Sequence, residues 1–159
     1  MRIQILCVGK LKETYFTDAV KEYAKRLSPH AKLSILEVPD EKTPDGASSH
    51  EMDIIRQKEG QRLLKLLPPT GLVIGLVIQG KAMGSEQFAG YLEQSMARGI
   101  SGYTFIIGGS LGLSPEVISR CDLKLSFSSM TFPHQLMRVI LMEQLYRTFK
   151  IIAGEPYHK

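Results

Sequence analysis

An uninterrupted apolar run at residues 72–78, LVIGLVI, is the feature that most constrains how this chain folds. Pro68 and Pro69 precede the run, so no helix continues into it. A strand whose two faces are both covered by helices has this composition, because neither face meets water. The run therefore predicts an interior strand of a parallel sheet.

The rest of the chain alternates between strand-like and helix-like patterns, with no repeat or linker. Apolar residues at spacings of three and four predict amphipathic helices between the strands. Strands are predicted at about residues 3–8, 33–38, 72–78, 103–107 and 122–127, and helices at about 15–27, 49–67, 85–98, from 114, and 133–152. This alternation predicts one α/β domain over residues 1–159, with a mostly parallel sheet and helices on both faces.

Composition and charge narrow the class of protein. The 159 residues carry a net charge of +4 and have a pI near 9.1, which is compatible with RNA as a partner but also with ordinary solvated lysines. No apolar run approaches the roughly 20 residues that span a bilayer, and the first residues lack the cleavage site of a signal peptide. Cys7 and Cys121 are expected to be reduced thiols. We therefore expect a cytoplasmic protein that does not enter a membrane.

Familiar catalytic motifs are absent. The segment 75–82, GLVIQGKA, is close to a phosphate-binding loop, but a predicted strand occupies its middle, and Ala82 lacks the hydroxyl that Mg²⁺ needs. The glycines at 108–112 are not spaced as in a dinucleotide-binding loop. The four histidines are scattered and lack companion ligands, so no metal site is predicted. No G-x-S-x-G elbow marks a hydrolase.

Three predicted strand ends remain as the place for a ligand: residues 76–80, 107–112 and 126–132. Open α/β sheets bind ligands at the carboxyl ends of their strands, which meet at one edge. The expected lining is small or apolar, and its larger members are Leu76, Ile78, Leu111, Met130 and Phe132. Such a lining favours a nucleoside with a thioether over a triphosphate, which needs concentrated positive charge.

The third of these ends is unusually rich in hydroxyl groups. Ser126, Ser128, Ser129 and Thr131 precede Pro133, which is tolerated in the first turn of a helix. Thr131 is predicted to cap that helix, as Ser48 or Ser49 and Ser85 are predicted to cap two earlier ones. The pattern fits a cradle for a polar ligand, and it also fits a capped connection that happens to be serine-rich.

Several segments resemble one known family. They are IGGSLG at 107–112, LSFSSMTFPHQLMR at 125–138 and the terminal GEPYHK, supported by VPDEK, KEGQR and QGK in the middle. By these motifs the chain is identified as a member of the bacterial ribosomal RNA large-subunit methyltransferase H family, of the SPOUT class. The resemblance covers the whole chain, and the block at 126–138 is its most specific part.

The resemblance implies more than the residues alone do. It implies a C-terminal trefoil knot, a homodimer, and S-adenosylmethionine as the methyl donor. The reaction implied is methylation of N3 of a pseudouridine in 23S rRNA within the assembled ribosome. The donor contacts that it implies are Leu76, Gly108, Phe127, Ser128, Ser129, Met130, Thr131 and Phe132.

The same resemblance directs attention to the C-terminal tail. Methylation of an imide nitrogen requires removal of its proton, and our candidates are His158 as base, Tyr157 as stacking or hydrogen-bonding partner and Arg147 as clamp. Glu143 is placed to orient Arg147 from one helical turn earlier. The tail is expected to become ordered when RNA binds.

Two residues near the start of the last helix are expected to have roles outside the chemistry. His134 is expected to have a structural role near the donor. Arg138 is expected to reach an RNA phosphate or a partner subunit.

The last helix has apolar residues on more than one face, which favours a second partner and therefore a dimer. RNA would then be bound by a surface built from both subunits, with basic residues that include Lys10, Lys12, Lys21, Lys25 and Arg26. The alternative function is a nucleotide-binding regulatory module with the same pocket and no chemistry.

Overall fold

The computed structural model describes residues 1–159, and its elements follow the predicted alternation. The strands are β1 (Arg2–Val8), β2 (Lys32–Val38), β3 (Leu72–Ala82), β4 (Gly102–Ile107) and β5 (Leu123–Ser126). The helices are α1 (Thr14–Leu27), α2 (Ser49–Leu64), α3 (Ser85–Ala97), α4 (Pro115–Ser119) and α5 (His134–Ile152). No helix is both long enough and apolar enough to span a bilayer.

All five strands are parallel and lie in the order β2-β1-β4-β3-β5. Helices α1, α3 and α5 cover one face of the sheet, and α2 and α4 cover the other. Side chains alternate between the two cores, so that Ile5 and Cys7 of β1 face α5 while Leu6 and Val8 face α2. The predicted fold class, a parallel sheet with helices on both faces, is confirmed.

The helix starts agree only in part with the predicted caps. Ser48 caps α2 in a capping box, in which its Oγ accepts from Glu51 N at 3.2 Å and its own N–H donates to Glu51 Oε2 at 2.7 Å. The cap predicted at Ser85 is wrong, because Gly84 occupies that position and the Ser85 hydroxyl donates to Gln144 of α5 instead. The cap predicted at Thr131 is also wrong.

The start of α5 and the end of α2 have simple physical reasons. Pro133 holds extended backbone immediately before α5, and no side chain caps that helix. Helix α2 ends at Leu64, three residues before the predicted end, because Leu66 and Leu67 bond to carbonyls three residues back and tighten the chain into turns.

Strand β3 is longer than predicted and contains an irregularity that matters for the site. Leu76 pairs with Leu125 of β5, and Lys81 pairs with the same residue. The intervening residues 77–80 are therefore left out of the ladder, as in a β-bulge. Gly80 lies so close to β5 that an added Cβ would be 2.7 Å from the Lys124 carbonyl oxygen.

We expect Gly80→Ala to lower the free energy of unfolding by about 1–3 kcal/mol, because the obstructing atoms are backbone and the strands must separate to admit a methyl group. Gly90→Ala in α3 is the matched control, since an added Cβ there meets nothing within 4 Å. The free energy of unfolding of that control should rise by about 0.5–1 kcal/mol. Urea denaturation of both variants measures the difference, and equal stabilities would contradict this account of the β3–β5 crossing.

Both cysteines are free. Burial raises the pKa of Cys7 to about 12 and the pKa of Cys121 to about 11. Both thiols are therefore protonated at neutral pH, and neither is placed to act as a nucleophile.

Candidate cofactor pocket and C-terminal cluster

The carboxyl ends of β3, β4 and β5 meet around a cavity of about 920 Å³. These are the three strand ends that the sequence predicts as a ligand site. The volume falls in the range of small-molecule and cofactor sites, roughly 300–1,000 Å³. Residues 76–79 come from the second half of β3, and residues 107–113 from the end of β4 and the loop after it. Residues 127, 128 and 130–133 come from the bend between β5 and α5.

Seven of the eight residues predicted to contact a donor line this cavity, and Ser129 does not. The seven are Leu76, Gly108, Phe127, Ser128, Met130, Thr131 and Phe132. Met130 is 71% exposed and Phe132 is 37% exposed, although both are large and apolar. The rim of the cavity therefore leaves apolar surface open to a ligand or to another chain.

Hydroxyl groups shape the bend between β5 and α5. Ser126 Oγ donates to the Ser128 carbonyl at 3.1 Å, and Ser128 Oγ accepts from Met130 N at 2.9 Å. Side chains of this kind compete well with regular secondary structure for backbone groups. The hydroxyls therefore stabilise a connection that also lines the cavity, and a cradle for a polar ligand stays a prediction.

The loop after β4 is compact and is supported from below by α2. Gly108 approaches Gly112 so closely that an added Cβ would lie 2.8 Å from the Gly112 carbonyl carbon. Beneath it, the Glu59 carboxylate packs against Gly109 and accepts a hydrogen bond from Glu41 N at 3.1 Å. Glu59 is only 4% exposed, and burial raises the pKa of its carboxyl group.

The cavity carries little charge. Asp53 and Arg56 of α2 are its only lining residues with a permanently charged side chain. His134 also lines it, but burial, with Arg138 second, lowers the pKa of that imidazole. The ring is therefore neutral at neutral pH. A triphosphate, which needs several cations, does not fit this lining.

Arg138 has a different role from the one the sequence predicts. Its side chain is 1% exposed, so it reaches neither RNA nor a partner subunit. Nη1 pairs with Glu37 of β2 at 2.6 Å, and Nη2 donates to the carbonyls of Val8 and Gly9 at 3.4 and 2.5 Å. Arg138 thus ties the first turns of α5 to the ends of β1 and β2.

The three predicted catalytic residues come together around Glu143, away from the cavity. Arg147 donates to Glu143 through Nε at 3.1 Å and Nη2 at 2.5 Å, and the Tyr157 hydroxyl donates to the same carboxylate at 3.2 Å. Arg147 also lies over the Tyr157 ring and contacts His158 Nδ1 at 3.2 Å. Burial and Glu143 raise the pKa of Tyr157, so its phenol stays protonated at neutral pH.

The tail, which the sequence predicts to become ordered on RNA binding, packs back along α5. Gly154 adopts a left-handed conformation, φ +65°, which ends α5 and turns the chain back along it. Tyr157 then packs edge-on against Tyr146 of α5, with ring centroids 4.9 Å apart. His158 Nε2 lies 3.8 Å from Glu86 at the start of α3.

Within one chain, the cavity and this C-terminal cluster, Glu143, Arg147, Tyr157 and His158, are separate. Met137 is the last residue of α5 that lines the cavity, and Arg147 follows ten residues later. Ten helical residues span about 15 Å. A single chain therefore does not bring the predicted base to the predicted donor site.

Sequence reasoning missed the part of the cavity that α2 and α4 supply, which includes Asp53, Arg56, Pro115 and Ile118. Gln79 and His134, which the sequence places at or near the predicted strand ends, also line the cavity. Asp53 and Arg56 belong to a helix whose outer face is basic and polar. The sequence does not show that this helix crosses the sheet beside the β4 loop, since that depends on strand order.

Comparison with known proteins identifies the family. The model of the predicted SPOUT methyltransferase family matches residues 1–158. The chain is 55% identical to ribosomal RNA large subunit methyltransferase H of Clostridium kluyveri and 54% identical to that of Carboxydothermus hydrogenoformans, in each case over 159 residues and the whole of both chains. A probable methylase family protein from Haemophilus influenzae shares the fold with a TM-score of 0.52 at 13% identity, over 96% of this chain and 66% of that one. The chain therefore belongs to the SPOUT methyltransferase family.

Proposed function

We propose that this protein transfers a methyl group from S-adenosylmethionine to N3 of a pseudouridine in 23S rRNA, acting on the assembled ribosome in the cytoplasm. The observation that carries the proposal is the cavity at the ends of β3, β4 and β5, seen in a chain that belongs to a methyltransferase family. Relatives at 54–55% identity bear the name ribosomal RNA large subunit methyltransferase H. The pseudouridine target and the assembled ribosome as substrate are what the sequence resemblance to the methyltransferase H family implies.

The residues present fit the proposed donor. The glycine loop at 108–112 lines the cavity with backbone groups, and apolar side chains such as Leu76, Met130 and Phe132 offer contacts for a nucleoside and a sulfur atom. The bend from Phe127 to Phe132 and the loop at Gly108 would hold the donor. S-adenosylmethionine supplies an activated methyl group when bound, so the protein must align the acceptor nitrogen and remove its proton.

We assign the proton transfer to the C-terminal cluster. A guanidinium group can only donate hydrogen bonds, so His158 Nδ1 accepts from Arg147 and a neutral ring carries its proton on Nε2. His158 can accept the N3 proton on Nδ1 once Arg147 turns away from it. Arg147 is then free to hold the uracil carbonyl oxygen on which charge develops. Tyr157 supplies an aromatic face and a hydroxyl donor.

This assignment requires a homodimer, because one chain keeps cluster and cavity apart. Helix α5 supports it, since Leu136, Val139 and Ile140 are only half-buried and lie on the same side as Glu143. A twofold axis beside this face would place the tail of one protomer over the cavity of the other. The trefoil knot that the resemblance implies belongs to the same proposal.

The test is methylation of ribosomes from a strain that lacks the gene. Purified protein with S-adenosylmethionine carrying a labelled methyl group is expected to label 23S rRNA, and mass spectrometry should locate one methyl on N3 of a pseudouridine. Ribosomes from the parent strain, already methylated, are the control. Donor binding without any transfer would favour the regulatory module, and label on another base would overturn the proposed target.

A further inference from the structure

We propose that Asp53 and Arg56 form the subsite for the amino-acid end of the methyl donor, with Arg56 binding its carboxylate and Asp53 its ammonium group. The inference rests on the proposed function, since it takes S-adenosylmethionine as the ligand. It adds a part of the site on α2, a helix to which neither the motifs nor the strand ends assign a ligand.

The Asp53–Arg56 pair lies at the cavity wall, beside the glycine loop. Both residues line the cavity. Arg56 Nη1 donates to the Leu111 carbonyl at 3.4 Å, which places the guanidinium beside the glycine loop proposed to hold the donor. The long distance leaves this bond weak, so the group is able to change partners.

The charges of the pair are opposite to those of the proposed ligand groups. S-adenosylmethionine ends in a carboxylate and an ammonium group, and both need partners when they leave water. Asp53 and Arg56 are the only permanent charges in the lining, and they have opposite signs. No other pair of lining side chains offers a negative charge for the ammonium group and a positive charge for the carboxylate.

The pairing of the two residues decides against RNA as their ligand. Arg56 and Asp53 form an ion pair one helical turn apart, with side chains 26% and 56% exposed. A phosphate approaching Arg56 would meet the carboxylate of Asp53, which repels it. A zwitterion instead exchanges one ion pair for two. The exposed pair itself contributes little stability, so opening it costs little.

Two ligands that differ only in the amino-acid end test the proposal. S-adenosylhomocysteine has that end, and 5′-methylthioadenosine lacks it. Calorimetry should show that Arg56→Gln weakens S-adenosylhomocysteine about tenfold or more, as expected for loss of a hydrogen bond between charged groups. The affinity for methylthioadenosine should change less than twofold. Asp53→Asn should show the same pattern.

Lys58→Gln is the matched control, because Lys58 lies on the same helix, is exposed and has no ion-pair partner. It should bind both ligands as the wild type does, and Arg56→Lys should recover part of the lost affinity. Equal losses for both ligands in Arg56→Gln, or no loss for either, would overturn the subsite. If the wild type bound neither ligand, the proposed donor itself would be wrong.

Discussion

Deleting residues 154–159 is expected to lower methylation by about a thousandfold or more while donor affinity stays within twofold of the wild type. The deletion removes Tyr157 and His158 from the C-terminal cluster, and proton transfer by a positioned group typically contributes 10²–10⁴-fold. None of the deleted residues lines the cavity. Single-turnover methylation of ribosomes and calorimetry with S-adenosylhomocysteine measure the two quantities separately.

Two controls separate chemistry from structure in that experiment. Deleting Lys159 alone, which is exposed and bonded to nothing, should leave the rate unchanged. Light scattering should show that the six-residue deletion keeps the oligomeric state, because the half-buried face of α5 is intact. A deleted protein that methylates at the wild-type rate would remove His158 and Tyr157 from the mechanism.

Arg138→Met is expected to have the largest effect on stability, lowering the free energy of unfolding by about 3 kcal/mol or more. Removing one partner of a buried ion pair leaves the other charge and its carbonyl companions without compensation. Here Glu37 and the carbonyls of Val8 and Gly9 would lose their donor. Since about 1 kcal/mol corresponds to 2–4 °C in a chain of this size, the melting temperature should fall by at least about 6 °C.

The matched control for that variant is Arg26→Met. Arg26 pairs with Glu22 on the surface of α1, with side chains 43% and 52% exposed. Its replacement should lower the free energy of unfolding by no more than about 1 kcal/mol. A second variant, Arg138→Met with Glu37→Leu, removes both charges and should recover part of the loss. If Arg138→Met and Arg26→Met were equally stable, Arg138 would not be the tie between α5 and the sheet.

Much of the fold follows from the sequence because apolar residues recur every second position in strands and every third or fourth position in helices. The run at 72–78 and the alternation along 123–127 mark strands, and their carboxyl ends mark the site. Because all three ends lie on neighbouring strands, seven of the eight predicted donor residues surround one cavity.

Contacts between distant residues could not be predicted in this way. Arg138 lies at a helical position where an exposed arginine is common, and its partner Glu37 is 101 residues away. Nothing local shows that the two meet inside the protein. Asp53 and Arg56 were missed for the same reason, since the path of α2 depends on where β3 enters the sheet. Local caps failed at Ser85 and Thr131, where a neighbouring helix and a proline decide the geometry.

The strand at the edge of the sheet beside β3 is also the last to be made. Strand β5, the bend after it and the first turn of α5 belong to the final 37 residues, 123–159, and they form one wall of the cavity. A chain that stops before residue 123 therefore keeps four of the five strands but lacks this wall of the cavity.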